Sequence, residues 1–186
     1  MHLANERDVR LAIARYYGLV SYVDSQINRL VSYCEKKGLL SRTWIILAAD
    51  HGDYTGEHGL FAKSHAMYEC LLRVPLVIVP PAGVLARGTR RSTPVQLFDI
   101  FPTLLAIGGT SAPEYCQAVP LIEARDVPKA PQWSDERICF AAVGGISHPK
   151  PSFPQGMPLK GIHTDIISMA RNHRMKYICL LYTSDA

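Results

Sequence analysis

The chain opens with a long stretch in which apolar residues recur at alternating steps of four and three. These residues are Val9, Ile13, Tyr16, Val20, Val23, Ile27, Leu30 and Cys34. Because an α-helix has 3.6 residues per turn, this spacing predicts one amphipathic helix from about Glu6 to Lys37. Asn5 is a suitable N-cap for this helix, and Gly38 is a suitable stop after its last turn. We expect the apolar stripe to pack against a sheet.

Two short apolar runs follow the helix, Thr43 to Ala49 and Val74 to Val79. Continuous runs of this kind are typical of strands that are covered on both faces, as in a parallel sheet. A further helix is predicted over Asp99 to Ile107, because the apolar segment there is ended by Gly108-Gly109. The order of helix, strand, loop, strand and helix predicts an α/β fold.

Beyond Thr110 the pattern weakens, because recurring prolines interrupt any long element. One strand is predicted over Ile138 to Val143. A hairpin is predicted from two runs, Ile166 to Ala170 and Met175 to Ile178. The final residues, 179–186, resemble the translation of sequencing-adapter DNA, so we expect them to be a non-native tail on a truncated gene product.

Composition narrows the class of protein. The chain has 186 residues, with 48% hydrophobic and 19% charged residues and a net charge of +4, which is ordinary for a globular domain. Its basic residues are scattered, so no nucleic-acid interface is predicted. No apolar run is long enough to span a membrane, and no signal peptide is visible in Met1 to Arg10.

The five cysteines lie far apart without a C-x-x-C pair, which argues against a disulfide framework or a zinc cluster. We expect reduced, mostly buried thiols. Such thiols hint at a reducing compartment, with a slight preference for the cytoplasm, but they leave the localisation open. The oligomeric state is equally open.

The sequence Asp50-His51-Gly52-Asp53 stands directly after the first apolar run. Ligands of open α/β sheets bind at the carboxyl ends of the strands, and carboxylate and imidazole are both good ligands for divalent ions. Gly52 would permit a sharp turn, so that neighbouring side chains can converge. For an isolated pair, the plainer alternative of a loop-capping aspartate beside an unrelated histidine would be preferred.

The residues that follow decide between these alternatives. They include Gly56-Glu57-His58-Gly59-Leu60-Phe61-Ala62-Lys63, Met67-Tyr68-Glu69, Arg73-Val74-Pro75-Leu76 and Asp99-Ile100-Phe101-Pro102-Thr103-Leu104-Leu105. Together with the Asp50-His51 pair, this series resembles the C-terminal half of the type I sulfatases of the alkaline phosphatase superfamily. The resemblance covers about Asp8 to Gly109 well and Thr164 to Ile178 loosely.

The resemblance implies an alkaline-phosphatase-like α/β fold, with a parallel or mixed sheet and flanking helices. Residues 1–109 would be the C-terminal half of the catalytic domain, present only in part. Residues 110–178 would form a small C-terminal α+β subdomain, also partial.

The resemblance also implies roles for individual residues. Asp50 matches the aspartate that binds the active-site metal ion, and His51 stands where the family has asparagine or histidine as a further ligand. Lys63 matches the lysine that contacts the sulfate oxygens, as both a catalytic and a substrate-binding residue. His58 is a weaker candidate, either an orienting or substrate-contacting residue or a plain loop histidine. The implied ion is Ca²⁺, with Mn²⁺ or Mg²⁺ as alternatives.

The nucleophile of the family is a formylglycine made from the Cys or Ser of a C-x-P-S-R-type motif. No cysteine or serine of this chain is followed by proline and arginine at those positions. We therefore expect the nucleophile in a missing N-terminal half. The predicted function is hydrolysis of a small-molecule or saccharide sulfate ester. A phosphonate or phosphate ester hydrolase of the same superfamily is the first alternative, and an inactive truncated remnant is the second.

Overall fold

The computed structural model describes residues 5–63, 66–84, 88, 90–122, 137–144 and 164–182. The chain divides into two compact units, and the division falls just before Arg90. The predicted domain boundary at residue 109 lies inside the second unit and stays a prediction. The two units are described separately.

The first unit begins with helix α1, Glu6–Lys36, which confirms the predicted helix. The side chain of Asn5 caps it, because its Oδ1 accepts a hydrogen bond of 2.9 Å from the amide of Asp8. Gly38 follows the last turn with a φ of 65°, a left-handed conformation that glycine adopts without a Cβ clash. Both predicted helix boundaries are therefore confirmed.

The expectation that the apolar stripe of α1 would be buried was only partly correct. None of the residues of α1 is buried, and Val20, Val23 and Leu30 are exposed. Ile27 and Val31 lie against an apolar groove that the following strands help to form. Among the described residues, packing partners cover α1 over part of its length only, so three of the eight residues of the stripe are exposed and the other five are half-buried.

Strands β1, Ile45–Ala48, and β4, Leu76–Val79, confirm the two predicted apolar strands. They pair antiparallel, with Ile45 opposite Val79 and Ala48 opposite Leu76. The expected coverage on both faces was wrong, because Leu47 and Val77 are exposed, Val77 at 48%. Within the described ranges this sheet has two strands only, so no third strand covers it. The groove of about 220 Å³ beside it is lined by Ile27, Val31, Leu40, Thr43, Ile45, Leu47, Val77, Val79 and Pro80.

Three short elements connect β1 to β4. Strands β2, Tyr54–Thr55, and β3, Phe61–Ala62, form a hairpin, and helix α2, Glu69–Leu72, follows it. Tyr54 is almost fully buried, and its hydroxyl donates a hydrogen bond of 2.5 Å to the carbonyl of Ala66. The connection is therefore a folded structure anchored by a buried tyrosine.

The second unit contains helix α3, Ile100–Ile107, which confirms the predicted helix. Asp99, directly before it, has no solvent exposure. Its carboxylate lies 2.7 Å from the Arg137 guanidinium and accepts hydrogen bonds from the amides of Gln96 and Val119. A buried carboxylate needs such partners, because an uncompensated charge is costly to remove from water.

A three-stranded antiparallel sheet completes the second unit, in the order β5-β6-β7. Its strands are β5, Cys139–Gly144, β6, Thr164–Arg171, and β7, Lys176–Tyr182, which confirms the predicted strand and hairpin. Residues 179–182 of the predicted tail pair with β6, while 183–186 lie outside the described residues. In the part of the chain that the structure describes, no helix has the length and apolarity needed to cross a bilayer.

Candidate active site

Asp50 and His51 follow β1 and face each other. The Asp50 Oδ1 atom accepts a hydrogen bond of 3.0 Å from the His51 amide, which fixes the carboxylate beside its neighbour. The Asp50 Oδ2 atom lies 3.4 Å from Nε2 of the His51 ring. The Asp50 side chain is 86% exposed and the His51 side chain 30% exposed, so the pair opens to solvent from a partly covered loop.

The hydrogen bond on the other ring nitrogen of His51 defines what Nε2 can do. Nδ1 lies 2.8 Å from the carbonyl oxygen of Gly52. Because a carbonyl oxygen only accepts, Nδ1 carries a hydrogen, and Nε2 bears the lone pair whenever the ring is neutral. Nε2 of His51 and Oδ2 of Asp50 face each other, an arrangement that suits either an ion pair through a proton on Nε2 or a bound cation.

The ionisation of the Asp50 carboxyl also suits the binding of a cation. The hydrogen bond from the His51 amide lowers the pKa of the Asp50 carboxyl below its ordinary value, and the charge of the His51 ring lowers it further. Lys63 adds a smaller electrostatic contribution of the same sign. The carboxylate is thus ionised throughout the neutral range, as a ligand for a hard cation must be.

Gly52 lies in close contact with helix α2. Its amide donates a hydrogen bond of 2.8 Å to the carbonyl of Leu71. A Cβ atom on Gly52 would collide with the carbonyl oxygen of Cys70, far inside van der Waals contact. The φ of Gly52 is not positive. The glycine is therefore required by a close backbone approach, whereas the sequence indicated a sharp turn.

The β2–β3 hairpin explains how Lys63 returns to the Asp50 region. Tyr54 pairs with Ala62. Lys63 comes directly after Ala62, at the end of the hairpin. Ala62 has a φ of 55°, a left-handed conformation that is uncommon for a residue with a Cβ. Lys63 itself is exposed, and its charge lies close enough to lower the pKa of Asp50.

The loop at the far end of this hairpin is held by its own side chains. The Glu57 carboxylate accepts a hydrogen bond of 2.7 Å from the Thr55 amide. This bond is the main reason that the pKa of Glu57 lies below its ordinary value. The ring of His58 stacks on Tyr68. A catalytic or orienting role for His58 stays a prediction, since the contact described for its ring is this stack on Tyr68.

The Asp50–His51 pair can be tested against the metal that the sequence implies. A carboxylate oxygen and an imidazole nitrogen, 3.4 Å apart, are both suitable donors for a divalent ion. Calcium prefers oxygen ligands, so Asp50 fits it better than His51 does. A carbonyl-bound Nδ1–H is also the usual arrangement behind a metal-bound imidazole. Within the described ranges no group of three His, Cys, Asp or Glu side chains converges, and metal binding by the pair stays a prediction.

Comparison with known proteins identifies the protein family to which the chain belongs. The family model for sulfatases matches residues 4–110, more than half of the chain. The chain belongs to the sulfatase family.

Two relatives and one structure show how far the match extends. Arylsulfatase K of Xenopus laevis is 35% identical over 109 residues, which is 59% of this chain and 20% of that protein. An N-acetylglucosamine-6-O-sulfatase of Bacteroides thetaiotaomicron is 38% identical over 106 residues, 57% of this chain and 19% of that protein. The phosphonate monoester hydrolase SpPMH of Silicibacter pomeroyi matches with a TM-score of 0.76 at 22% identity, over 95% of this chain and 34% of that one.

The chain therefore spans about a fifth of the length of these curated relatives. At 22% identity, the likeness to the hydrolase structure concerns the fold. It confirms the predicted alkaline-phosphatase-like α/β class, in which helices accompany the small sheets described above.

Proposed function

We propose that this chain carries the Asp50, His51 and Lys63 side of the active site of a sulfuric ester hydrolase. The observation that supports this most directly is the 3.4 Å approach of Asp50 Oδ2 to His51 Nε2, with Nδ1 bound to a carbonyl. The substrate would be a sulfate monoester of a small molecule or a saccharide. The names of the two relatives, an arylsulfatase and an amino-sugar sulfatase, support that class.

Asp50 and His51 would hold one divalent ion, Ca²⁺ by family resemblance, with Mn²⁺ or Mg²⁺ as alternatives. Asp50 supplies the charge, because its lowered pKa keeps it ionised at neutral pH. His51 supplies a neutral nitrogen whose direction the Gly52 carbonyl sets. When bound, such an ion acts as a Lewis acid toward the sulfate oxygens.

Lys63 would bind the sulfate group. Its exposed ammonium offers a point charge and three hydrogen-bond donors to a tetrahedral anion. It would also stabilise negative charge that builds on the sulfate oxygens during the reaction. The formylglycine nucleophile would come from outside these 186 residues. We therefore expect the chain alone to leave an aryl sulfate unhydrolysed.

The metal assignment is tested with the 186-residue chain and Mn²⁺, whose unpaired electrons broaden nearby amide NMR signals. We expect the amides of residues 50–53 to broaden first and Ca²⁺ to reverse the effect. With two ligands, the dissociation constant should be on the order of 1 mM or weaker. Asp50→Asn should abolish the local broadening, whereas the exposed control Asp24→Asn on α1 should not. Equal broadening in the wild type and Asp50→Asn would contradict the assignment.

The anion assignment is tested by adding inorganic sulfate and following the same amides. Lys63→Met should lose the sulfate-dependent shifts around residues 61–63 while keeping the Mn²⁺ effect. Lys36→Met, at the exposed end of α1, is the matched control and should behave as the wild type. If Lys63→Met bound sulfate as well as the control, the lysine would have another role.

A phosphonate or phosphate ester hydrolase is the second candidate, favoured by one observation. His51 offers an imidazole, which suits manganese or zinc better than it suits calcium. The two candidate activities are distinguished with a longer protein that joins this chain to a half carrying the nucleophile. Its turnover of an aryl sulfate is compared with its turnover of a phosphonate monoester. In that protein Asp50→Ala should abolish turnover, and Lys63→Ala should lower it by about 10²–10³-fold.

A further inference from the structure

We propose that the Gly52 peptide, held against the carbonyls of α2, is the positioning element that selects the ring orientation and tautomer of His51. The inference rests on the proposed metal-binding function and adds to it the part of the fold that prepares the ligand. No side chain of Gly52 takes part, so the element is built from backbone alone.

Both backbone polar groups of Gly52, its amide and its carbonyl, are hydrogen-bonded. Its amide donates to the Leu71 carbonyl over 2.8 Å, and its carbonyl accepts from Nδ1 of His51 over 2.8 Å. The His51 ring is thus tied, through one glycine, to the backbone of α2. Since Leu71 is among the buried residues of the unit, its carbonyl is a fixed reference point.

The close approach of Gly52 to the backbone of Cys70 leaves no room for a side chain at position 52. A Cβ on Gly52 would collide with the Cys70 carbonyl oxygen and lie 3.0 Å from its carbonyl carbon. These are backbone atoms, which cannot move aside as a flexible side chain can. Any other residue must therefore lift the loop away from α2, although it would keep the same amide and carbonyl groups.

The contact also decides what Nε2 can do. With Nδ1–H directed to the Gly52 carbonyl, Nε2 faces Asp50 Oδ2, 3.4 Å away, and in the neutral ring it is the nitrogen that bears the lone pair. If the Gly52 carbonyl moved away, the ring would be free to rotate and to carry its hydrogen on Nε2. That form cannot act as a ligand through Nε2. Loss of such supporting hydrogen bonds typically costs about 10–100-fold in metal affinity.

The experiment measures the tautomer of His51 directly, by ¹⁵N NMR of the imidazole rings at about pH 8.5, where an ordinary histidine is neutral. His51→Asn assigns the signal among the seven histidines of the chain. In the wild type we expect Nδ1 to carry the hydrogen. In Gly52→Ala we expect that preference to be lost, and Mn²⁺ broadening of residues 50–51 to require about 10–100-fold more metal.

Two glycine controls separate this contact from general effects of alanine. Gly18→Ala lies within α1 with no atom near its Cβ, and should leave both readouts unchanged. Gly59→Ala lies in the neighbouring loop at a φ of 71°, also with open space, so it introduces backbone strain without the collision. It should keep the wild-type tautomer of His51.

Several results would overturn the proposal. One is a wild-type His51 that carries its hydrogen on Nε2. Another is a Gly52→Ala variant with the wild-type tautomer and metal affinity. If Gly52→Ala does not fold, hydrogen exchange is measured in the wild type. The Gly52 amide should exchange more slowly than exposed loop amides, and exchange at the same rate would contradict its bond to the Leu71 carbonyl. If the wild type binds no Mn²⁺, the proposed metal function fails, while the tautomer still decides the positioning role.

Discussion

The ring of His58 lies flat on the ring of Tyr68, with 3.7 Å between the ring centroids and 13° between their planes. Tyr68 also meets the buried Tyr54 edge to face, at 6.3 Å. His58 is held in a left-handed conformation, with a φ of 56°, which is uncommon for a residue with a Cβ. The stack therefore holds in place the loop whose hairpin also presents Lys63.

Loss of this stack should loosen the loop. We expect Tyr68→Leu to cost about 1 kcal/mol for each aromatic pair removed. The Gly56 amide, which is bonded to the Leu60 carbonyl over 2.9 Å, should exchange faster with deuterium. Tyr68→Phe keeps both ring contacts and is the control. Unchanged exchange at Gly56 in Tyr68→Leu would show that the stack does not hold the loop.

Breaking the ion pair between Asp99 and Arg137 in the second unit should be strongly destabilising, because it leaves one charge without compensation. Asp99→Asn removes the charge opposite Arg137 and leaves a buried guanidinium without its counterion. We expect a loss of about 3 kcal/mol in the free energy of unfolding, measured by urea denaturation. Glu114→Gln, an exposed carboxylate of the same unit, should change it by less than about 0.5 kcal/mol. Similar losses in both variants would contradict the interpretation.

The Glu57 carboxylate should make the loop sensitive to acid. Because the Thr55 amide lowers the pKa of Glu57, the folded loop favours the ionised form. Its contribution to stability is present above the ordinary glutamate pKa, about 4.3, and is lost as the pH falls through the lower folded value. The NMR chemical shift of the Thr55 amide should change with pH at that lower midpoint. This transition should be absent in Glu57→Gln and unchanged in the control Glu35→Gln. A midpoint at or above the ordinary value would refute this.

The cysteines should differ in reactivity. All five are free thiols, but only Cys139 is buried and the other four are half-buried, so the expectation of mostly buried thiols was wrong. Burial raises the pKa of the Cys139 thiol, so less of the reactive thiolate forms there at a given pH. We expect Cys139 to react with iodoacetamide more slowly than the half-buried Cys34, measured by mass spectrometry of timed samples. In concentrated guanidinium the difference should disappear, and a difference that persists there would have another cause.

Elements that leave a periodic signal could be predicted from the sequence. The spacing of apolar residues, with Asn5 and Gly38 at its ends, located α1, and apolar runs located β1 and β4. The runs were typical of parallel-sheet strands, whereas β1 and β4 pair antiparallel. The sequence did not show this, because an apolar run has the same composition in either orientation. Strands β2 and β3, with two residues each, are too short to show any period.

In the candidate site, too, some features could be predicted from the sequence and others could not. Asp50, His51 and Lys63 stand out as residue types in a fixed order, whereas the support beneath them is made of backbone contacts. Nothing in the sequence identifies the Cys70 carbonyl as the reason for Gly52. The partner of Asp99 is similarly remote, although an aspartate between Phe98 and Ile100 does signal that some partner is needed.

The ion pair between Asp99 and Arg137 joins residues that are 38 positions apart. During translation, at about 5–20 residues per second, Arg137 is therefore added roughly 2–8 s after Asp99. For that interval the nascent chain holds a carboxylate whose guanidinium partner does not yet exist. The N-terminal end of α3 can reach its final buried state only after the ribosome has released the start of β5.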